Sequence, residues 1–304
     1  MASLPARERA HIYDMTQRVF ERVTEWAEPY GIFPAVRFPA VAISMVAAAP
    51  WCDVRALTEM AMIPIWIYAI DDAYDKRTIA PAWRQKAVRR YSAVAGGDRR
   101  WADDPYAASL ADLTARIARR PLWPQLRDTW VLWCRRMLAG MAFECATADR
   151  VRAGAPLPAY RTYLDHGLYS IGVPMYLAGA WIIDGDPATP PAMAALGRIC
   201  RMSGRAVRLA NDLQTHAKEQ AEGNWNAIML LSGGDGSPAA AAAVRERLNA
   251  AMRRLARACA RLEPLRAAHL VDRVSRFSVE LYADWDYHTI PHDRVLVGAA
   301  RGTL

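Results

Sequence analysis

A chain of 304 residues with 53% hydrophobic and 23% charged side chains has globular composition, which excludes a disordered or fibrous protein. The net charge of +8 is almost wholly arginine, dispersed along helical segments such as 253–261 as solvated faces, and no basic run is interleaved with aromatics. A nucleic-acid interface is therefore not expected, although the charge favours the approach of a polyanionic substrate.

The N-terminus, MASLPARERAHIYD, mixes charges where a signal peptide needs an apolar stretch, and no uncharged apolar run reaches eighteen residues. The expectation is a cytoplasmic protein without a membrane span. Five scattered cysteines without zinc spacing read as reduced and structural. Apolar residues recur at spacings of three and four, and alternating β-branched patterns are scarce, so the chain reads as all-α. Breaks fall in chain order at Pro29 to Pro39, at Ala95 to Asp98, around Pro121 and Pro124, at Ala153 to Pro158, at Asp184 to Pro191 and at Gly233 to Pro238. They separate eight to ten helices with no compositional linker, and a single helical bundle over residues 1–304 is expected. The segments from Val54 to Ile70 and from Leu168 to Ile183 are apolar on all sides, which places them inside a bundle with their ends at a shared cavity.

The first of these runs ends in Asp71-Asp72-Ala73-Tyr74-Asp75. On a helix Asp71 and Asp75 share a face, and carboxylates crowded against an apolar wall are costly unless a cation offsets them. Hard oxygen ligands suit Mg²⁺, which bridges carboxylates to phosphates. Taken alone, the motif also fits a solvated helix end. A second motif, Asn211-Asp212-Leu213-Gln214-Thr215-His216-Ala217-Lys218-Glu219, begins 140 residues later (211 − 71). Asn211, Thr215 and Glu219 stack an amide oxygen, a hydroxyl and a carboxylate on one helix face. Arg208 precedes it by one turn and Lys218 lies within it, adding phosphate-binding cations. Here the bland reading is an exposed amphipathic helix.

Together, DDAYD and NDLQTHAKE resemble the two metal motifs of class I terpene synthases, in order and separation. The resemblance implies three Mg²⁺ ions held around an isoprenoid diphosphate by Asp71, Asp72, Asp75, Asn211, Thr215 and Glu219. Residues 204–210 (GRAVRLA), 222–227 (EGNWNA) and 163–172 (YLDHGLYSIG) are similar to kaurene-synthase-like enzymes. That narrower likeness implies a bacterial labdane-related diterpene synthase of biformene or kaurene type. Gly167 stands where many bacterial cyclases carry a diphosphate-sensing arginine. Their C-terminal Arg-Tyr pair has only weak substitutes here in Tyr287, His288 and Arg294.

The implied chemistry is ionisation of an allylic diphosphate, with Arg208 and Lys218 binding the leaving group and an apolar cavity excluding water from the cation. Trp66, Tyr68, Tyr169, Ile171 and Gly172 are expected to line that cavity, and Trp133, Met137, Met141, Tyr163, Met175 and Tyr176 are further wall candidates; ordinary core packing is the alternative for each. Pro174 after Gly172 predicts a helix break. Ala69 occupies the first position of a would-be DxDD tetrad, so alkene protonation is not expected and a separate class II diterpene cyclase would supply a copalyl-type substrate. Direct use of geranylgeranyl or farnesyl diphosphate is the alternative. A chain-elongating prenyltransferase is a further rival, as is a non-catalytic helical scaffold. Homodimers are common in the families resembled.

Overall fold

The computed structural model describes residues 6–75, 79–101, 103–221, 225–234 and 236–285. Among them are twelve α-helices: α1 (Ala6–Ala27), α2 (Phe38–Ala48), α3 (Val54–Asp75), α4 (Pro81–Ala95), α5 (Pro105–Ile117), α6 (Trp123–Arg152), α7 (Tyr160–Ser170), α8 (Val173–Asp184), α9 (Met193–Ala221), α10 (Ala227–Ser232), α11 (Pro238–Ala260) and α12 (Arg266–Asp284). No described residue is in a β-strand, and no described helix is long and apolar enough to cross a membrane.

The count exceeds the expected eight to ten because short connections divide the chain further, among them the Gly172 break that the sequence predicts. Between α2 and α3 the chain turns within 49–53, where the Asp53 carboxylate accepts from the Ala56 N–H at 2.7 Å and caps α3. Between α7 and α8 only Ile171 and Gly172 intervene, and Gly172 has φ +80°, a left-handed conformation that ends one helix and starts the next. Asn226 and Ser237 cap α10 and α11 with their side chains.

The described helices share one hydrophobic core. Most side chains of α3 and all of α8 from Val173 to Ile183 are buried, as their apolarity requires, and the buried Glu59 of α3 is paired with Arg55 and Arg120. Trp66, Trp130 and Trp181 are completely enclosed. By contrast α9, α11 and α12 are amphipathic, and Arg253, Arg254 and Arg257 of α11 are exposed. All five cysteines are free thiols. α3 packs against α1, α2, α5, α6 and α8, while α9 packs against α7, α8, α11 and α12. The ends of α3 and α9 that carry the acidic motifs flank a common cavity, with α6 and α7 supplying its sides.

Candidate active site

The cavity has a volume of about 660 Å³. Asp71, Asp72 and Asp75 reach it from the last turns of α3, and Asn211, Thr215 and Glu219 reach it from the last turns of α9; Arg208 and Lys218 line it too. All eight polar residues singled out in the sequence thus meet around one space.

Its electrostatics follow from crowding acids away from water. Burial, then the charges of Asp75 and Glu144, push the Asp71 carboxyl well above the usual range. Burial and Glu144 raise Asp75 to about 6, and burial and Asp212 raise Glu219 to about 7. Such carboxylates ionise readily only beside added positive charge. The donor set of carboxylate, amide and hydroxyl oxygens fits Mg²⁺ in kind. Among the described residues no three His, Cys, Asp or Glu side chains close on one point as a self-sufficient chelate.

Asp72 differs from its neighbours. Its Oδ1 accepts from Arg37 Nη2 at 2.6 Å, while Arg37 Nη1 donates to the Tyr68 carbonyl at 3.0 Å and the guanidinium lies over the Tyr68 ring. Arg37, from the turn before α2, is buried and lines the cavity.

Arg208 is enclosed. Its Nε donates to the Tyr163 hydroxyl at 2.6 Å and lies 3.1 Å from Asp212 Oδ1, and its Nη1 is 3.6 Å from Glu144 Oε2. Burial opposes its charge, but Glu144, Tyr163 and Asp212 outweigh that and keep the guanidinium protonated. Asp212, fully buried, also accepts from the Tyr163 hydroxyl at 2.6 Å and the Ala227 N–H at 3.2 Å. Glu144 Oε1 accepts from the Ser170 hydroxyl at 2.6 Å, joining α6 to the end of α7.

Sequence reasoning gave no role to Arg37, Glu144, Asp212 or Asn226. The signal for Glu144 was a lone acid in the apolar stretch MLAGMAFECA of α6. Asp212 lay inside a recognised motif. Arg37 had no distinguishing neighbours.

The expected cavity wall needs correction. Tyr68, Ile171, Met141 and Tyr163 line the main cavity, whereas Gly172 and Tyr176 line a smaller adjoining pocket of about 50 Å³ whose wall also includes Ile67, Tyr68 and Ile171. Trp66 lies off the Ile67–Asp71–Asp75 face; it is fully buried, its indole N–H donates to the Tyr106 carbonyl at 2.9 Å, and its ring meets Tyr91 edge-on. Tyr169 is drawn away from the cavity by Arg136, which lies over its ring and donates to its hydroxyl. Trp133, packed on Trp181, and the enclosed Met137 and Met175 line neither space. Tyr287, His288 and Arg294 lie outside the described residues.

Residues 63–254 match the family model described as terpene synthase family 2, C-terminal metal binding. The chain belongs to this terpene synthase family. It is a class I terpene synthase, an enzyme that releases diphosphate, and both motifs fall within the matched span. The ent-pimara-9(11),15-diene synthase of Streptomyces sp. strain KO-3988 is 27% identical over 297 residues, covering 92% of this chain and 94% of the relative. The 2-methylisoborneol synthase of Streptomyces coelicolor A3(2), solved with Mg²⁺ and geranyl-S-thiolodiphosphate, superposes with a TM-score of 0.72 at 18% identity, covering 91% of this chain and 93% of that one. The linalool/nerolidol synthase of Streptomyces clavuligerus, solved with 2-fluorogeranyl diphosphate, gives 0.68 at 21% identity over 88% and 94%. These two likenesses show a shared terpene synthase fold.

Proposed function

We propose that this terpene synthase ionises a copalyl-type diphosphate, made by a separate class II cyclase, and releases a labdane-related diterpene hydrocarbon and diphosphate. The observation that carries the ionisation step is the meeting of DDAYD, the Asn211–Thr215–Glu219 triad, Arg208 and Lys218 around one cavity. The twenty-carbon, precyclised substrate is supported by the kaurene-synthase-like segments, the missing DxDD tetrad and the diene synthase relative.

Asp71, Asp72, Asp75, Asn211, Thr215 and Glu219 would hold Mg²⁺, Asp72 while paired with Arg37, and the family resemblance leads us to expect three ions. Bound Mg²⁺ supplies Lewis acidity that spreads the charge developing on the diphosphate. Arg208 and Lys218 bind the same leaving group with charge-assisted hydrogen bonds, which strengthen as the carbon–oxygen bond breaks. Ile67, Met141 and Ile171 keep water from the cationic end, while the Tyr68 and Tyr163 rings each carry a guanidinium, of Arg37 and Arg208, over one face. The adjoining apolar pocket past Ile67 and Ile171 extends the space for hydrocarbon.

Gas chromatography of products from geranylgeranyl, farnesyl and each copalyl diphosphate, offered separately, tests the assignment. The expected result is the highest catalytic efficiency with one copalyl isomer. Efficiency with an acyclic diphosphate equal to or above every copalyl isomer overturns the two-step reading and leaves class I chemistry standing. Activity that depends on added isopentenyl diphosphate would instead mark a chain-elongating enzyme.

A further inference from the structure

Asn226 follows the end of α9 by five residues, yet its side chain turns back onto α9. It is completely buried. Its Nδ2 donates to Glu219 Oε2 at 2.7 Å and to the Asp212 carbonyl at 3.1 Å, while its Oδ1 accepts from the Ile228 N–H at 3.0 Å and the Met229 N–H at 3.4 Å. A primary amide has two N–H donors and two acceptor lone pairs, so every hydrogen-bonding position is occupied. The orientation is also determined: the N-terminus of α10 requires an acceptor, and the carboxylate and carbonyl require donors.

The cap function alone needs only the oxygen, which aspartate or serine would supply equally well. What asparagine adds is the donor to Glu219. Glu219 lies two residues from the end of α9, where a helix frays, and its carboxylate is flexible about three torsions. Tying one oxygen to a fully enclosed amide removes that freedom before any ion arrives.

We infer that Asn226 is a positioning residue of the metal site, presenting the Glu219 carboxylate in one fixed orientation while it nucleates α10. The inference rests on Glu219 being a metal ligand. Partners of this kind typically set metal affinity within about 10–100-fold.

The test uses the full chain and four proteins: wild type, Asn226→Ser, Glu219→Gln and the double variant. For each, thermal midpoints are measured without metal and across a MgCl₂ titration at fixed inorganic pyrophosphate, giving the Mg²⁺ concentration for half the stabilisation. Asn226→Ser keeps a capping oxygen and loses the donor to Glu219, so its half-point should rise by about tenfold or more. In the Glu219→Gln background the same substitution should shift the half-point no further. An unchanged half-point in Asn226→Ser beside a raised one in Glu219→Gln overturns the inference and leaves the ligand assignment intact, as does an equal shift in both backgrounds. An unchanged half-point in Glu219→Gln removes the ligand assignment and the inference with it. If Asn226→Ser does not fold, Asn226→Thr, which also keeps a capping oxygen and lacks the amide donor, enters the same comparison.

Discussion

Ile67 and Gly172 pack so closely that a β-carbon on the glycine would lie 2.6 Å from Ile67 Cγ2 and 3.1 Å from Cδ1. The glycine is required twice, since its φ of +80° also disfavours any L side chain. Ile67 and Gly172 belong to the wall of the small apolar pocket, which shares Ile67, Tyr68 and Ile171 with the main cavity. Pressure at this contact therefore reshapes the space offered to hydrocarbon without touching the acidic motifs.

Gly172→Ala should lower stability by about 2 kcal/mol, from left-handed strain and overpacking together. It should change the product distribution more than the rate of diphosphate release. Ile67→Ala made on its own costs cavity energy, whereas in the Gly172→Ala background it removes the clash, so the two effects should be strongly non-additive. Thermal melts and product analysis of the four proteins check this. An unchanged product profile at unchanged rate would reduce Gly172 to a packing residue.

Replacing Asp71 or Asn211 with alanine should reduce turnover by about a hundredfold or more, as expected when a group that stabilises leaving-group charge is lost. The fold should survive, and relieving the carboxylate crowding around Asp71 offsets lost contacts in the metal-free protein. Chelation of wild type with EDTA should abolish turnover reversibly. Circular dichroism, turnover and the stabilisation by Mg²⁺ with pyrophosphate are the measurements. Near-normal turnover in the Asp71→Ala, Asn211→Ala double variant would sink the metal assignment.

Both acidic motifs could be read from sequence because residues spaced by four on a helix share a face whatever the tertiary fold. Asp71 with Asp75, and Asn211 with Thr215 and Glu219, needed only the helix. The cavity wall could not be read in the same way. α3 is buried on every side, so its sequence has no polar stripe to distinguish Ile67, on the cavity face, from Trp66, off it. Arg37 with Asp72 and Glu144 with Ser170 are partners 35 and 26 residues apart, and only tertiary packing joins them. Tyr169 was misplaced for a related reason: a tyrosine beside Ile171 is drawn outward by Arg136, a residue of another helix.

Trp66 provides a direct check on that correction. Trp66→Phe removes the hydrogen bond to the Tyr106 carbonyl and leaves a void among α3, α4 and α5, so the thermal midpoint should fall by several degrees. The product distribution should match wild type. Met141→Ala and Tyr68→Leu, at cavity-lining positions, should alter the products instead. A changed product profile in Trp66→Phe, with Met141→Ala and Tyr68→Leu unaltered, would restore Trp66 to the cavity.

Gly167 on α7 leaves open the path by which Arg208 crosses into the cavity. A β-carbon there would stand 3.2 Å from Arg208 Cγ, 3.4 Å from Nε and 3.5 Å from Cδ, so the arginine stem lies along the helix where a side chain would be. Gly167 is helical without left-handed strain, and alanine is favoured over glycine in a helix interior by about 1 kcal/mol. Gly167→Ala should therefore lower the thermal midpoint slightly, its helix-propensity gain outweighed by the cost of pushing Arg208 away by a few tenths of an ångström. A buried guanidinium held by Tyr163, Asp212 and Glu144 has little room to adapt. The expected result is a KM raised several-fold and weaker inhibition by inorganic pyrophosphate, and Gly167→Val should strengthen both effects. Tyr163→Phe, which takes the hydroxyl from Arg208 Nε, should move the same two quantities in the same direction. If all three variants keep wild-type KM, kcat and pyrophosphate inhibition, the placement of Arg208 does not matter to diphosphate binding and its assigned role fails.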